Sequence, residues 1–302
     1  MSHNHSHSHS IGNYNRAFAI GVSLNVVFVV IEITYGLFAD SLALIADAGH
    51  NISDVVSLLL AWGASVLATK GTTDKRTYGF RKVTVVASLV SAILLLVALG
   101  GITWEAIGRF QNPRPVEGIT VIVVASIGVI INAFTALLFV QGQKHDLNIR
   151  GAFLHMAADA GVSLGVVIAG VFILMEGWLW VDPLVSLVIV AVIFFVTWGL
   201  LRDSINYVID AVPKGIDIVG IREYLISFDH VNHFHDLHVW PLSTSEVALT
   251  VHLVVNSGSL DNNFLINLQK YLHDEFGIEH STIQIESATG ESSCRLDRPK
   301  CI

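Results

Sequence analysis

Residues Asp47-Ala-Gly-His50-Asn-Ile-Ser-Asp54 place a histidine and an aspartate four residues apart inside an apolar run, residues 42–68. On a helix, positions i and i+4 share one face, a turn apart. The same pair returns as His155-Met-Ala-Ala-Asp159 in a second apolar run. Together the pairs offer two imidazole nitrogens and two carboxylates. If the helices meet, these form a closed tetrahedral set suited to zinc or a similar divalent ion. The plainer reading of either pair is a His–Asp hydrogen bond packing one helix against another. Inside a membrane that reading weakens. Each charged side chain at bilayer depth costs about 2.5–3.5 kcal/mol on insertion scales and rarely persists without a function. Asp47, near His50 on the helical wheel, reads as a third ligand, a partner to the ligands, or a helix-entry charge.

Six apolar runs are available to carry these pairs, at residues 17–38, 42–68, 83–104, 119–140, 151–175 and 178–201. Each is near or above the ~20 residues that a spanning helix needs. Composition agrees: the 302 residues are 53% hydrophobic and 14% charged, with mean hydropathy +0.63. Soluble domains carry about 25% charged residues. The expected class is therefore a polytopic α-helical membrane protein with six transmembrane helices. Asp182 and Pro183 lie near the start of the sixth run, and proline is tolerated in a first helical turn, so the span begins there. Asn25, Glu32 and Asn132 fall at membrane depth and read as interhelical hydrogen bonds.

Charge in the connections orients the spans. Lys70, Lys75, Arg76, Arg81 and Lys82 lie between or flank spans two and three, and Lys144 and Arg150 lie between spans four and five. The other side has only Arg109 and Arg114, balanced by Glu105 and Glu117. The positive-inside rule then puts both termini in the cytoplasm. A net charge of −8 with no basic stripe or aromatic RNA motif excludes nucleic acid as a partner. The first fifteen residues are polar, so no cleavable signal peptide is expected. His3, His5, His7 and His9 alternate there with Ser and Asn, which reads as a disordered, metal-gathering tail rather than an uninterrupted tag.

From Arg202 the composition turns polar. A helix is expected over 214–228, strands over 231–242 and 246–255, a helix over 260–276 and a strand over 280–286. This is a small α+β domain of roughly 80 residues. The expected division is a tail at 1–15, a six-helix transmembrane domain at 16–208, a soluble domain at 209–287 and a flexible tail at 288–302. Strict strand alternation puts His233 and His235 on one face of the sheet and His238 on the other. The two cysteines, Cys294 and Cys301, lie in the last tail and do not build a disulfide framework.

Together these residues resemble the cation diffusion facilitator family, particularly its zinc-transporter branch. The resemblance covers almost the whole chain. It rests on Asp47-Ala-Gly-His50 with Asp54, Tyr78-Gly79-Phe80-Arg81, His155-Met-Ala-Ala-Asp159 and Asp182-Pro183-Leu184. His235-Asp-Leu-His238-Val-Trp240 and Thr282-Ile-Gln-Ile-Glu286 complete it. It implies six spans, cytosolic termini, a ferredoxin-like cytosolic domain and a homodimer. It implies a transport site of His50, Asp54, His155 and Asp159, selective for zinc with cadmium or cobalt as secondary substrates. It also implies a cytosolic zinc site of His235, His252 and Glu286. His238, Cys294 and Cys301 are further candidates there, although the cysteine spacing is wider than the usual Cys-x-x-Cys. Some relatives carry another site between spans two and three; that segment here has Asp74 but no histidine, so none is expected.

A divalent ion held by two carboxylates and two neutral imidazoles is nearly charge-neutral, which limits the cost of holding it in a membrane. Its loading must release protons, because the ligands bind deprotonated. The expectation is therefore zinc/proton antiport by alternating access, exporting metal from the cytoplasm across the inner (plasma) membrane. Zinc is substrate and regulatory ligand, and no catalytic cofactor is expected. A membrane metalloenzyme would keep an open metal position or carry His-Glu-x-x-His, which is absent. A membrane-anchored metal sensor would have no need of ionisable pairs at bilayer depth.

Overall fold

A computed structural model describes residues 11–140, 147–256 and 262–287. Six long helices come first: α1 Ile11–Phe38, α2 Leu42–Ala68, α3 Val83–Gln111, α4 Gly118–Phe139, α5 Leu147–Glu176 and α6 Val181–Val208. They are followed by α7 Ile218–Ile226, β1 Val231–Pro241, β2 Val247–Val255, α8 Asn262–Phe276 and β3 His280–Ser287. Among the described residues, α3, α4, α6 and the Met156–Glu176 part of α5 are long and apolar enough to cross a membrane. α1 starts at Ile11 and so takes in residues expected to belong to the tail. A helix once nucleated extends at one hydrogen bond per added residue, so polar residues can continue an apolar helix. α3 likewise runs past the apolar run to Gln111.

The chain forms two compact units, one of Met1–Leu59 with Ser91–Gly199 and the other of Leu60–Val90 with Leu200–Ile302. In the first, the core is built from Phe28 of α1, Ala43, Leu44 and Ala46 of α2, Leu99 of α3 and Val121, Val124 and Ala125 of α4. Val166 of α5 and Ile189, Val190 and Ile193 of α6 close it. Between apolar helices in lipid, small residues matter because they let backbones approach. A Cβ on Gly128 of α4 would lie 2.5 Å from the Phe28 ring and 3.0 Å from the Ser163 hydroxyl of α5. One on Gly170 of α5 would lie 2.8 Å from Ile122. Asn25 meets the expectation of an interhelical contact, its amide lying 3.5 Å from the Met156 sulfur. Asn132 does not: it is fully buried and neither side-chain atom has a hydrogen-bond partner among the described residues.

In the second unit, β1 and β2 pair antiparallel while β2 and β3 pair parallel, in sheet order β1-β2-β3. The parallel pair requires a crossover, which α8 supplies. One sheet face, with Leu249, Val251 and Leu253, packs on Ile221 and Leu225 of α7 and Leu268 and Leu272 of α8. Asp217 caps α7, accepting from the amides of Val219 and Gly220 at 3.1 and 2.9 Å. α8 ends at Gly277, whose φ of +66° suits glycine, and the Ile278 amide reaches back to the Leu272 carbonyl at 3.1 Å. The α2–α3 connection belongs to this unit. Lys82 donates to Asp210 and, at 3.0 Å, to the Pro241 carbonyl; Arg81 pairs with Glu246 at 3.3 Å. Tyr78 meets His280 edge-on, centroids 5.6 Å apart.

Gly128 generates a test of the helix packing. Gly128→Val should lower the apparent melting temperature of detergent-solubilised protein, because overpacking costs ~1–3 kcal/mol at such a contact. Gly100→Val, at a glycine with open space around it, should leave that temperature unchanged.

Candidate metal centres

Two places bring the expected ligands together. In the first unit, His50 Nε2 of α2 lies 3.2 Å from Asp159 Oδ1 of α5, and both side chains are largely buried. One turn earlier on α2, Asp47 Oδ2 accepts from the hydroxyl of Ser163, one turn later on α5, at 2.9 Å. Each step along α2 is thus matched by a backward step along α5, as two helices running in opposite directions require. The backbone of residue 54 lies one turn beyond His50 on α2, and that of residue 155 one turn before Asp159 on α5. The Asp54 and His155 side chains lie outside the described residues. Asp47 sits beside Ser163 and Glu32. Asn51, next to His50, donates to Glu32 Oε2 of α1 at 3.1 Å. Glu32 Oε1 and Asp47 Oδ1 are buried without a hydrogen-bond donor among the described residues. The spacing of Asp47 had pointed at this region, but its partner Ser163 carries no sequence signal of its own.

In the second unit, the ligand atoms of His235, His252 and Glu286 all lie within 4.8 Å of one another. The pairing explains it. His235 is directly opposite His252 in the β1–β2 ladder, with ring centroids 4.9 Å apart. Glu286 arrives on β3: its two oxygens lie 3.2 Å from His235 Nε2 and 2.8 Å from His252 Nδ1. Gln284 donates to the same carboxylate at 2.9 Å. His235 Nδ1 is buried with no partner among the described residues. Two nitrogens and one oxygen converging in this way fit a divalent ion such as zinc, which takes such donors at about 2.0–2.2 Å and leaves a fourth position.

His238 corrects the expectation from alternation. The β1–β2 register shifts between His235 and His238, and Asp236 in the shift has φ +52°. His238 therefore faces Thr250, two residues from His252, and lies on the same outer face as His235. Asp236 bridges it to the cluster, with Oδ1 2.9 Å from His238 Nε2 and Oδ2 3.7 Å from His252 Nε2. Aspartate tolerates the left-handed region better than most residues, which is the only sequence signal for the bulge. Cys294, Cys301 and the histidines of the N-terminal tail lie outside the described residues.

Residues 18–209 match the family model described as the cation efflux transmembrane domain, and residues 213–288 match that of the cation efflux protein cytoplasmic domain. The chain belongs to the cation efflux family. This cation efflux protein is 34% identical over 283 residues to the metal cation efflux system protein CzcD of Cupriavidus metallidurans, covering 93% of this chain and 90% of that protein. It is 35% identical over 271 residues to the zinc transporter ZitB of Escherichia coli K12, covering 89% and 86%. A cadmium, cobalt and zinc/H(+)-K(+) antiporter of Bacillus subtilis is 33% identical over 279 residues, covering 90% and 89%. A solved structure of the metal-bound C-terminal domain of the CzcD transporter is 35% identical, covers 24% of this chain and 99% of that one, and has a TM-score of 0.22. Membership makes the cation efflux protein a multi-pass membrane transporter and sets aside the metalloenzyme and sensor readings.

Glu286→Gln tests the outer cluster. It removes the charge that both imidazoles face while leaving a side chain of the same shape. Zinc binding to purified protein, read by competition with a chromophoric chelator, should lose one high-affinity equivalent per chain or weaken by at least ~10-fold.

Proposed function

We propose that this cation efflux protein exports Zn2+ from the cytoplasm in exchange for protons, using His50, Asp54, His155 and Asp159 as transport ligands. The observation that carries the reading is the His50–Asp159 contact at 3.2 Å. It sets the two His-x-x-x-Asp motifs against each other in opposite directions, so that residue 50 is level with residue 159 and, one turn on, the backbone of residue 54 with that of residue 155. The similar proteins named for zinc, and for cadmium, cobalt and zinc with H+ and K+, support the choice of ion and of counter-ion. Both termini are assigned to the cytoplasm of a cell whose inner (plasma) membrane holds the protein, from the lysine and arginine balance of the connections. A homodimer is the assembly we assign.

The residues divide the work. Two carboxylates cancel the charge of the ion, and two neutral imidazoles supply the softer donors that favour zinc over magnesium or calcium. On release to the far side, the same imidazoles take up protons and carry them back, because a protonated ring has no lone pair left for metal. The cluster of His235, His252 and Glu286 lies in the cytoplasmic domain and senses cytosolic zinc without lying on the route. The tail histidines and Cys294 or Cys301 are candidates for its fourth position.

Zinc uptake into inside-out vesicles tests the transport site. His50→Ala, Asp54→Ala, His155→Ala and Asp159→Ala should each abolish flux in inserted protein; two or more at wild-type rates would sink the shared site. The joint change of His235, His252 and Glu286 to alanine should leave partial flux, and complete loss in folded protein would make the outer cluster part of the route.

Proton coupling has its own signature. Flux should rise with cytosolic pH through the histidine range, near ~6.5 for an unperturbed ring, since protonation removes the donors. A protonophore should collapse concentrative uptake. His50→Asp should flatten the pH response and shift preference from zinc, because a carboxylate titrates near ~4 and is a harder donor. Undiminished uptake without a proton gradient would point to another counter-ion.

A further inference from the structure

The N-terminus of α2 is closed from a different helix. Leu42 and Ala43 donate their amides to the carboxylate of Asp182 on α6, at 2.8 and 3.2 Å, across 140 and 139 residues of sequence. The Ser41 hydroxyl donates to the same carboxylate at 2.5 Å and accepts from the Leu44 amide at 3.3 Å. Ile45 then makes the first bond of the helix proper, to the Ser41 carbonyl at 3.2 Å. With the Ser41 amide donating to the Gly36 carbonyl at 3.0 Å, all four amides that a helix leaves open at its start, those of residues 41–44, are accounted for, two of them by a side chain of another span. Asp182 is fully buried, and so nearly is Arg109 of α3, whose guanidinium lies 3.9 Å from it. Arg109 is held in turn by the Asp40 carboxylate at 2.6 Å, by the Asp40 carbonyl and by Glu105 at 3.4 Å.

A serine alone would cap the first turn and say nothing about where the helix sits. A carboxylate from α6, charge-balanced from α3, fixes the axial position of α2 against both. His50 stands nine residues beyond Ser41, about 13 Å along the helix. We propose that Asp182 is a positioning residue for metal binding, setting the depth of His50 against Asp159 through the α2 N-terminus. This rests on the reading of His50 and Asp159 as transport ligands. A rise in the zinc KM of Asp182 or Ser41 variants follows from it, since a displaced His50 costs affinity before it costs turnover.

The test is zinc flux per inserted transporter in proteoliposomes of full-length Ser41→Ala, Asp182→Asn, Asp182→Ala and the Ser41→Ala/Asp182→Ala double variant. Asp182→Ala should raise KM by about 10-fold or more, as loss of an outlying support does at metal sites. Asp182→Asn should raise it less, since its amide oxygen still accepts from Leu42 and Ala43. The double variant should be no worse than Asp182→Ala, because both changes remove one cap. If Asp182→Ala fails to insert, Ser41→Ala and Asp182→Asn decide. A KM within about twofold of wild type in the inserted variants, whatever their melting temperatures or maximal rates, overturns the proposal, as does a multiplicative double variant. His50→Ala run in parallel separates the two readings. Wild-type flux there removes the transport site itself, whereas lost flux with unchanged KM in the cap variants removes only the role of Asp182.

Discussion

The constraint on which the membrane unit depends is that α2 and α5 run in opposite directions with their polar residues in step. Asp47 meets Ser163, and His50 meets Asp159 one turn on. Ionisable groups at this depth have no water to retreat to, so each must find its partner on a neighbouring helix or hold a cation. That requirement explains the rest of the local packing. Gly128 lets α4 come close enough to Phe28 and Ser163 for the polar row to be enclosed, and Asn51 ties Glu32 of α1 to the same row. A cation is the natural complement of a site with this many buried carboxyl oxygens.

The second unit meets a similar demand by different means. Its core is an ordinary apolar face between one sheet and two helices, and the face turned away from that core carries the imidazoles. Strand pairing, rather than helix direction, brings His235 against His252. The α2–α3 connection and the ends of the long helices share this unit through Lys82, Arg81 and Tyr78.

Much of this was legible in the residues. The long helices announce themselves by length and apolarity, the strands by alternation, and the two His-x-x-x-Asp pairs by their spacing. His235, His252 and Glu286 followed from a family resemblance, and the structure places them together for a simple reason of register. Three features were not legible. Alternation counted through residues 235–238 fails, since the bulge at Asp236 adds a residue to one strand only and nothing in the local composition requires it. Arg109 looks like a loop charge by position, but it occupies the last turn of α3 and is buried, because its acidic partners come from segments distant in sequence. Asp182 reads as a helix-entry residue for its own span, whereas its carboxylate serves the start of another.

Glu286 reaches the outer cluster only through the parallel pairing of β3 with β2, and that pairing exists only once α8 has crossed over and docked on the sheet. His235 and His252, by contrast, are neighbours as soon as the β1–β2 hairpin forms. A hairpin alone thus offers a weak two-nitrogen foothold, and the carboxylate arrives last. Any affinity of this cluster for an ion therefore rises as the domain completes its fold. By linkage, an ion that prefers the finished cluster favours the docked α8 by the same free energy, RT ln(1 + [L]/Kd) at saturable occupancy. On the proposed role of the cluster, a newly made chain in a zinc-poor cell and one in a zinc-rich cell would hold their last helix and strand with different tenacity, though their sequences are the same.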